Sequence, residues 1–188
     1  MKTTNEKPLI QHGAEYGLIM GLYMSIIALC FLWSLYNITL TMAVFFLMMG
    51  IPVITWIILA RAYKRILELK YTYAIWTMGI YVYFFGCLIC SAVTAGFIYY
   101  VEPDFFAKFA TTTADFIASG PEASQHAAET ELLRKAVETG QLPTTTDFCL
   151  SMSWTMLFIG SVLSIIYTPI IHKFVKRDLP DEEENNDI

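Results

Sequence analysis

Four cysteines carry the most reactive side chains of this 188-residue sequence: Cys30, Cys87, Cys90 and Cys149. Cys87 and Cys90 have the CxxC spacing of redox-active pairs. A reactive thiolate needs a helix N-terminus or a nearby cation, whereas this pair lies in the middle of a long apolar stretch without charge. We therefore interpret the two cysteines as small buried residues of a helix, and we expect no redox function.

Candidate metal ligands are spread along the chain. The three histidines, His12, His126 and His172, belong to three different segments and are not expected to converge on one ion. Soft sulfur ligands would suit Cu(I), and four of them fall toward one end of the helices predicted below: Met42, Cys149, Met152 and Met156. Methionine is also a common filler of apolar faces. We therefore predict no metal site and no cofactor.

Charged residues are absent from three long stretches, residues 16–60, 71–101 and 148–172. Ionisable residues inside a membrane span usually mark transport or proton transfer, and these stretches contain no carboxylate, lysine or arginine. The sequence also has neither an HExxH motif nor a Gly-rich phosphate loop. We expect a protein without catalytic residues, and therefore not an enzyme.

Two polar features remain inside the uncharged stretches. Gly50 and Pro52 lie in the middle of the second predicted span, where proline should kink the helix and free backbone carbonyls. Tyr81 and Tyr83 bring hydroxyl groups deep into the third span, where an unpaired hydroxyl is costly. Together these residues could outline a small polar pocket in the bundle, for example for a lipid head group. Alternatively, the tyrosines only satisfy the carbonyls that the kink frees.

The elements that position these residues are apolar helices. Each uncharged stretch exceeds the roughly 20 residues that cross a hydrocarbon core, and the longest contains two spans. We predict transmembrane helices over residues 16–36, 39–60, 71–101 and 148–171. The predicted fold class is an all-α integral membrane protein, an antiparallel bundle of four transmembrane helices.

Lysine and arginine set the predicted orientation. Nine of the twelve basic residues lie in residues 1–15, in the second connection or in residues 172–188. Because positive charges are retained on the cytoplasmic side, both termini are expected to be cytoplasmic. The final segment, 172–188, is basic and then acidic, a composition typical of a disordered tail.

The only sizeable segment outside the predicted spans, residues 102–147, is expected to be helical and extracytoplasmic. Its first half aligns Phe105, Phe109 and Phe116 on one helix face. Such a helix would either lie along the outer leaflet with its phenylalanines inserted or pack on the ends of the protein's own spans. A second, polar helix that ends at Gly140 is expected to fold back on the first.

Small residues recur at four-residue spacing early in the chain: Gly13, Gly17, Gly21 and Ser25. Residues of this size let two helix backbones approach closely in lipid. A phosphate site would require the glycines in a loop at a helix start, whereas these lie within or entering a helix. We predict a helix-packing seam whose partner is the second span, the fourth span or a helix of another protein.

Three segments of the sequence resemble a known family: HGAEYGLIMG (12–21), YYVEPDFF (99–106) and IGSVLSIIYTPIIHKFVKRD (159–178). They are similar to the four-helix bacterial inner-membrane family of the Bacteroidota type that is catalogued as domain of unknown function 4199. The resemblance implies a location in the inner membrane and the topology described above. It also implies an association with lipid-linked sugar transfer, since such proteins are often encoded beside a membrane glycosyltransferase.

These observations favour a non-catalytic inner-membrane protein that acts as an accessory or scaffold to other envelope proteins. The alternative is a protein that binds or transports a lipid or small molecule, with a pocket near the kink of the second span. Expected partners are membrane lipids and other membrane or envelope proteins, with a homo-oligomer left open and nucleic acid excluded.

Overall fold

The computed structural model describes residues 8–34, 38–66, 69, 71–120 and 126–175. Within these residues the chain forms six α-helices and no strand: α1 (Leu9–Trp33), α2 (Ile38–Arg65), α3 (Thr72–Tyr100), α4 (Phe105–Ser119), α5 (Ala127–Glu138) and α6 (Thr145–Phe174). Residues 9–15 of the predicted N-terminal segment 1–15 belong to α1, which begins at Leu9. The acidic end of the predicted tail lies outside the described residues.

Four of the helices, α1, α2, α3 and α6, are long and apolar enough to cross a membrane. By length and composition the chain is a multi-pass membrane protein. Helices α2 and α6 extend beyond the predicted spans, through polar residues to Arg65 and Phe174. The start of α6 is fixed by a capping box in which Thr144 and Asp147 satisfy each other's backbone N–H groups.

The four spans form a bundle in the cyclic order α1, α3, α6, α2. The most extensive contact is between α1 and α3, followed by α3 with α6, and α2 closes the bundle against α1 and α6. Helices α1 and α3 are parallel, because their contacts advance together along both chains, from Gly13 beside Tyr81 to Gly21 beside Ile89. We call the end that carries α4 and α5 the hairpin end, and the opposite end the terminal end.

Small residues allow the close approach of α1 and α3. A Cβ atom on Gly17 would lie 2.7 Å from Cβ of Phe85, and one on Gly21 would lie 3.0 Å from the backbone oxygen of Gly86. Gly13 faces Tyr81 in the same way. One turn beyond Gly21, the buried Ser25 hydroxyl donates to the Gly21 carbonyl at 2.7 Å, as helix hydroxyls commonly do in lipid.

The predicted partner of this seam was wrong: it is α3, not the second span, the fourth span or another protein. Helix α2, which follows α1 after a short connection, is also a neighbour of α1. However, a hairpin only keeps two helices adjacent, and the closest approach occurs where both helices offer small residues. Helix α3 does so at Gly86, whose own added Cβ would lie 3.3 Å from the backbone nitrogen of Gly21.

Helix α6 carries a second set of small buried residues that sequence reasoning missed. Gly160, Ser164 and Thr168 recur at four-residue spacing on its buried face. The ring of Tyr83 packs directly on Gly160, and Ser164 packs directly on Gly79. Small residues therefore allow close packing of α3 on α6, as they do for α1 on α3.

Helix α4 packs on the hairpin end of the bundle through an aromatic cap, which comprises Phe31, Phe105, Phe106, Phe109 and Phe148. Phe105 is 1% exposed, and the Phe109 ring lies 6.1 Å from the Phe31 ring of α1 at a tilt of 53°. Phe106 meets Phe148 of α6 with ring centroids 5.5 Å apart. Of the two predicted arrangements, Phe105 and Phe109 adopt the packing on helix ends, whereas Phe116 is 75% exposed.

Helix α5 folds back on α4, as expected from the sequence. Arg134 of α5 donates to Asp115 of α4 at 3.1 Å, and Gly140 follows α5 with φ +67°, a conformation that suits glycine after a helix end. The segment between the third and fourth spans is therefore a helical hairpin anchored by the aromatic cap.

Candidate ligand cavity

The four residues of the predicted polar pocket do not meet in one site. Tyr81 faces α1 at Gly13, on the outer side of the bundle core. Gly50 instead lies against Tyr23, whose hydroxyl donates to the Leu47 carbonyl at 2.5 Å in the turn before Pro52. This bond joins α1 to α2 just before Pro52, so Gly50 is covered by Tyr23 of α1 and not by Tyr81 or Tyr83.

Tyr83 occupies the centre of the bundle and ties three helices together. Its hydroxyl lies 2.6 Å from the hydroxyl of Thr55 on α2, which in turn donates to the Ile51 carbonyl at 2.7 Å. The Tyr83 ring is fully buried on Gly160 of α6. Because each hydroxyl in this layer has a partner, it closes the bundle core and leaves no polar group for a ligand.

A cavity of about 200 Å³ lies on the hairpin side of this layer, between all four spans. Its walls are almost entirely apolar, and the lining residues are Met24, Ile27, Ala28, Phe31, Leu32, Met48, Ile51, Cys90, Thr94, Phe148, Met152 and Met156. Only Cys90 and Thr94 contribute polar side-chain atoms that can donate a hydrogen bond. The cavity thus suits a mostly apolar molecule.

Neighbouring elements define the ends of the cavity. At the hairpin end, Phe31 and Phe148 belong both to its lining and to the aromatic cap. At the other end, Ile51 lies one turn from Thr55 and hence from the Tyr83 layer. Met48 lines the cavity and is also 44% exposed on the surface of the bundle. A flexible methionine therefore stands between the cavity and the lipid-facing surface, where it could move aside for an entering molecule.

Thr94 is the residue of this cavity that sequence reasoning missed. It is 1% exposed, and no nitrogen or oxygen of the described residues is hydrogen-bonded to its hydroxyl. The Cys90 thiol, one turn earlier on α3, lies within hydrogen-bonding reach of the hydroxyl, but a thiol is only a weak hydrogen-bonding group. The sequence does not single out Thr94, because many threonines in uncharged spans donate a hydrogen bond to a carbonyl of their own helix.

A larger apolar groove, of about 560 Å³, lies on the outer surface between α3 and α6. Three of its polar side chains join α3 to α6: the Ser91 and Ser153 hydroxyls lie 2.7 Å apart, and the Cys149 thiol donates to the Ser91 carbonyl at 3.8 Å. The groove is lined by two helices and its surface is mostly apolar. The cavity that all four spans enclose is the better candidate for specific binding.

The cysteines and histidines have structural surroundings in the described part of the chain. All four cysteines are free thiols, and Cys87 donates to the Ser153 carbonyl at 3.8 Å. His172 packs its ring on Tyr63 at 5.2 Å, whereas His126 lies beside Glu129 on the surface of α5. No three His, Cys, Asp or Glu side chains come together in a metal-binding arrangement within the described residues.

Four spanning helices around an internal apolar cavity define the class of this chain, a multi-pass α-helical membrane protein. The chain belongs to the family described as Protein of unknown function (DUF4199), whose model matches residues 15–173. The family resemblance seen in three sequence segments is therefore confirmed over most of the chain. No curated protein and no solved structure matches it.

Proposed function

We propose that the protein is a non-catalytic accessory protein of the bacterial inner membrane that binds an apolar small molecule or a lipid chain in its internal cavity. The observation that carries this proposal is the cavity of about 200 Å³ among Met24, Met48, Thr94 and Met156. Its walls come from all four spans, so a bound molecule would contact every helix of the bundle.

The energetics of packing support occupancy of the cavity. Protein interiors are normally packed as densely as organic crystals, and unfilled cavity volume costs about 24 cal/mol per Å³. An apolar molecule that fills the space would recover much of this free energy through dispersion contacts.

Filling the cavity with a side chain should remove the ligand. Ala28 is 8% exposed and lines the cavity, so Ala28→Phe is expected to occupy the space itself. We expect native mass spectrometry of protein extracted in mild detergent to show a bound apolar molecule on the wild type and at least tenfold lower occupancy on the variant.

The matched control adds the same bulk elsewhere. Val53→Phe lies on the lipid-facing side of α2, where Val53 is 58% exposed, and it should retain wild-type occupancy. A wild-type protein without any bound molecule, or equal occupancy in Ala28→Phe, would show that the cavity is not a binding site. Ala28→Leu adds less volume and serves if the phenylalanine variant does not fold.

The orientation that we propose has both termini in the cytoplasm. It is supported by the basic residues Arg61, Lys64, Arg65 and Lys173, which lie at the terminal end of α2 and α6. Alkaline phosphatase, which is active only outside the cytoplasm, should be active when inserted at the exposed Gly140 and inactive when fused to the C-terminus. The reverse pattern would mean that the orientation is inverted.

An accessory role need not depend on the small residues of α1. Gly13, Gly17 and Gly21 are buried against α3 of the same chain, so they offer no surface to a partner helix. The accessory role is instead assigned to the cavity: the protein would hold or present an apolar molecule for other envelope proteins. This view combines the two functions expected from the sequence and requires no catalytic group.

A further inference from the structure

Thr94 differs from the other buried hydroxyl residues of the described chain. Ser25, Thr55, Ser164 and Thr168 each donate to the carbonyl four residues earlier at 2.6–2.7 Å. Thr130 of α5 makes the same kind of bond to the His126 carbonyl at 3.1 Å. The Thr94 hydroxyl makes none. Thr94 belongs to the cavity lining. Its oxygen is not itself exposed to the cavity, but threonine has two accessible χ1 rotamers in a helix, so rotation can turn the hydroxyl toward a bound molecule.

A buried hydroxyl without a partner is costly, by an amount comparable to a lost hydrogen bond. A bound water molecule is not expected to pair with this hydroxyl, because a buried water itself requires two to four polar partners. The lining supplies only the Thr94 hydroxyl and the weak Cys90 thiol. A ligand with one hydrogen-bond acceptor and an otherwise apolar body matches the cavity better.

We propose that the cavity recognises a carbonyl group carried on an apolar ring or chain, and that Thr94 donates the hydrogen bond to it. This inference rests on the proposed function and specifies its ligand class. A carbonyl is favoured over a hydroxyl because it accepts the single Thr94 proton without bringing a second proton that would remain unpaired. The walls contain no charged side chain, so the part of the ligand that enters the cavity is expected to carry no charge.

Size and depth agree with this ligand class. Protein cavities of about 150 Å³ hold a molecule the size of benzene, so a cavity of about 200 Å³ holds one ring or a short segment of chain. Thr94 lies six residues before the end of α3 at Tyr100, or about 9 Å along the helix. Two membrane components provide a carbonyl at such a depth: the ring of a quinone and the acyl ester of a lipid.

The experiment compares probes that differ only in the carbonyl. Full-length protein in detergent micelles is titrated calorimetrically with a decyl benzoquinone and decylbenzene, and with methyl dodecanoate and tridecane. We expect at least one carbonyl probe to bind about five- to tenfold more tightly than its hydrocarbon counterpart, which is the effect of one neutral hydrogen bond. The pair that shows the preference identifies the source of the carbonyl.

Substitutions at Thr94 test the role of the hydroxyl. Thr94→Val should abolish the preference while leaving hydrocarbon affinity unchanged, whereas Thr94→Ser, which keeps the hydroxyl, should retain it. The control Thr168→Val removes a buried hydroxyl that bonds its own helix outside the cavity, and it should leave all probe affinities unchanged. A preference that survives in Thr94→Val, or none in the wild type, overturns carbonyl recognition.

The failure of this inference is distinct from the failure of the proposed function. If hydrocarbons and carbonyl probes bind the wild type equally and Ala28→Phe abolishes both, the cavity binds apolar molecules but does not recognise a carbonyl. If no probe binds and the extracted protein carries no apolar molecule, both proposals are wrong. Should Thr94→Val not fold, Thr94→Ala removes the same hydroxyl and replaces it in the test.

Discussion

Replacing Gly21 with leucine is expected to lower the unfolding midpoint of the detergent-solubilised protein by about 10 °C. An added Cβ would lie 2.9 Å from Cβ of Ile89 and 3.0 Å from the Gly86 backbone oxygen. Because a backbone group cannot rotate away as a side chain can, the leucine side chain is expected to force α1 and α3 apart. Overpacking of this kind costs about 3 kcal/mol, which corresponds to about 10 °C for a chain of this size. Thermal unfolding followed by size-exclusion chromatography measures the shift.

Gly96 provides the matched control for this substitution. It also lies in a spanning helix, α3, but nothing lies within 4 Å of the position where its Cβ would be. Gly96→Leu is expected to leave the midpoint unchanged or to raise it slightly, because leucine has a higher helix propensity than glycine. Equal losses in the two variants would mean that the α1–α3 contact is not a close-packed seam.

The second large effect is expected at Gly160, where even alanine is too large. Its Cβ would overlap the ring of Tyr83, and that ring is fully buried between α6 and Thr55 of α2. We expect Gly160→Ala to destabilise the protein by about 3 kcal/mol, at the upper end for overpacking. Thermal unfolding in detergent measures this loss against the wild type.

A double substitution tests whether the loss comes from Tyr83 itself. Tyr83→Leu removes the ring but leaves the Thr55 hydroxyl bonded to the Ile51 carbonyl. Although Tyr83→Leu destabilises by itself, adding Gly160→Ala in that background should cost less than about 1 kcal/mol. The resulting coupling of about 2 kcal/mol is in the range measured for residues in contact. Additive losses would exclude the ring as the cause.

The spans could be predicted because membrane crossing imposes a simple requirement on sequence. A stretch of uncharged, apolar residues long enough for the hydrocarbon core is sufficient, and the four predicted stretches correspond to α1, α2, α3 and α6. Helix ends were less predictable. Outside the hydrocarbon core a helix continues until a cap or a change in backbone conformation ends it. Helix α1 accordingly begins at Leu9, before the predicted span that starts at residue 16.

The ligand cavity could not be predicted in the same way. Gly50, Pro52, Tyr81 and Tyr83 are notable in the sequence because each departs from a purely aliphatic span. However, their partners depend on which helices are neighbours, and Tyr81 and Tyr83, only two residues apart, face α1 and the bundle core respectively. Thr94 had no distinguishing pattern, because whether a threonine bonds its own helix depends on the side-chain rotamer that packing allows.

The sequence by itself therefore determined the class of fold, the number of spans and the presence of a helical hairpin between the third and fourth. These properties depend on composition and on spacing along the chain, which are local. Only the tertiary structure decided that the glycines of α1 meet α3, that Tyr83 closes the bundle core and that Thr94 lines a cavity. The physical reason is that apolar spans have similar affinity for lipid and for one another, so shape complementarity rather than hydrophobicity selects each helix's neighbours.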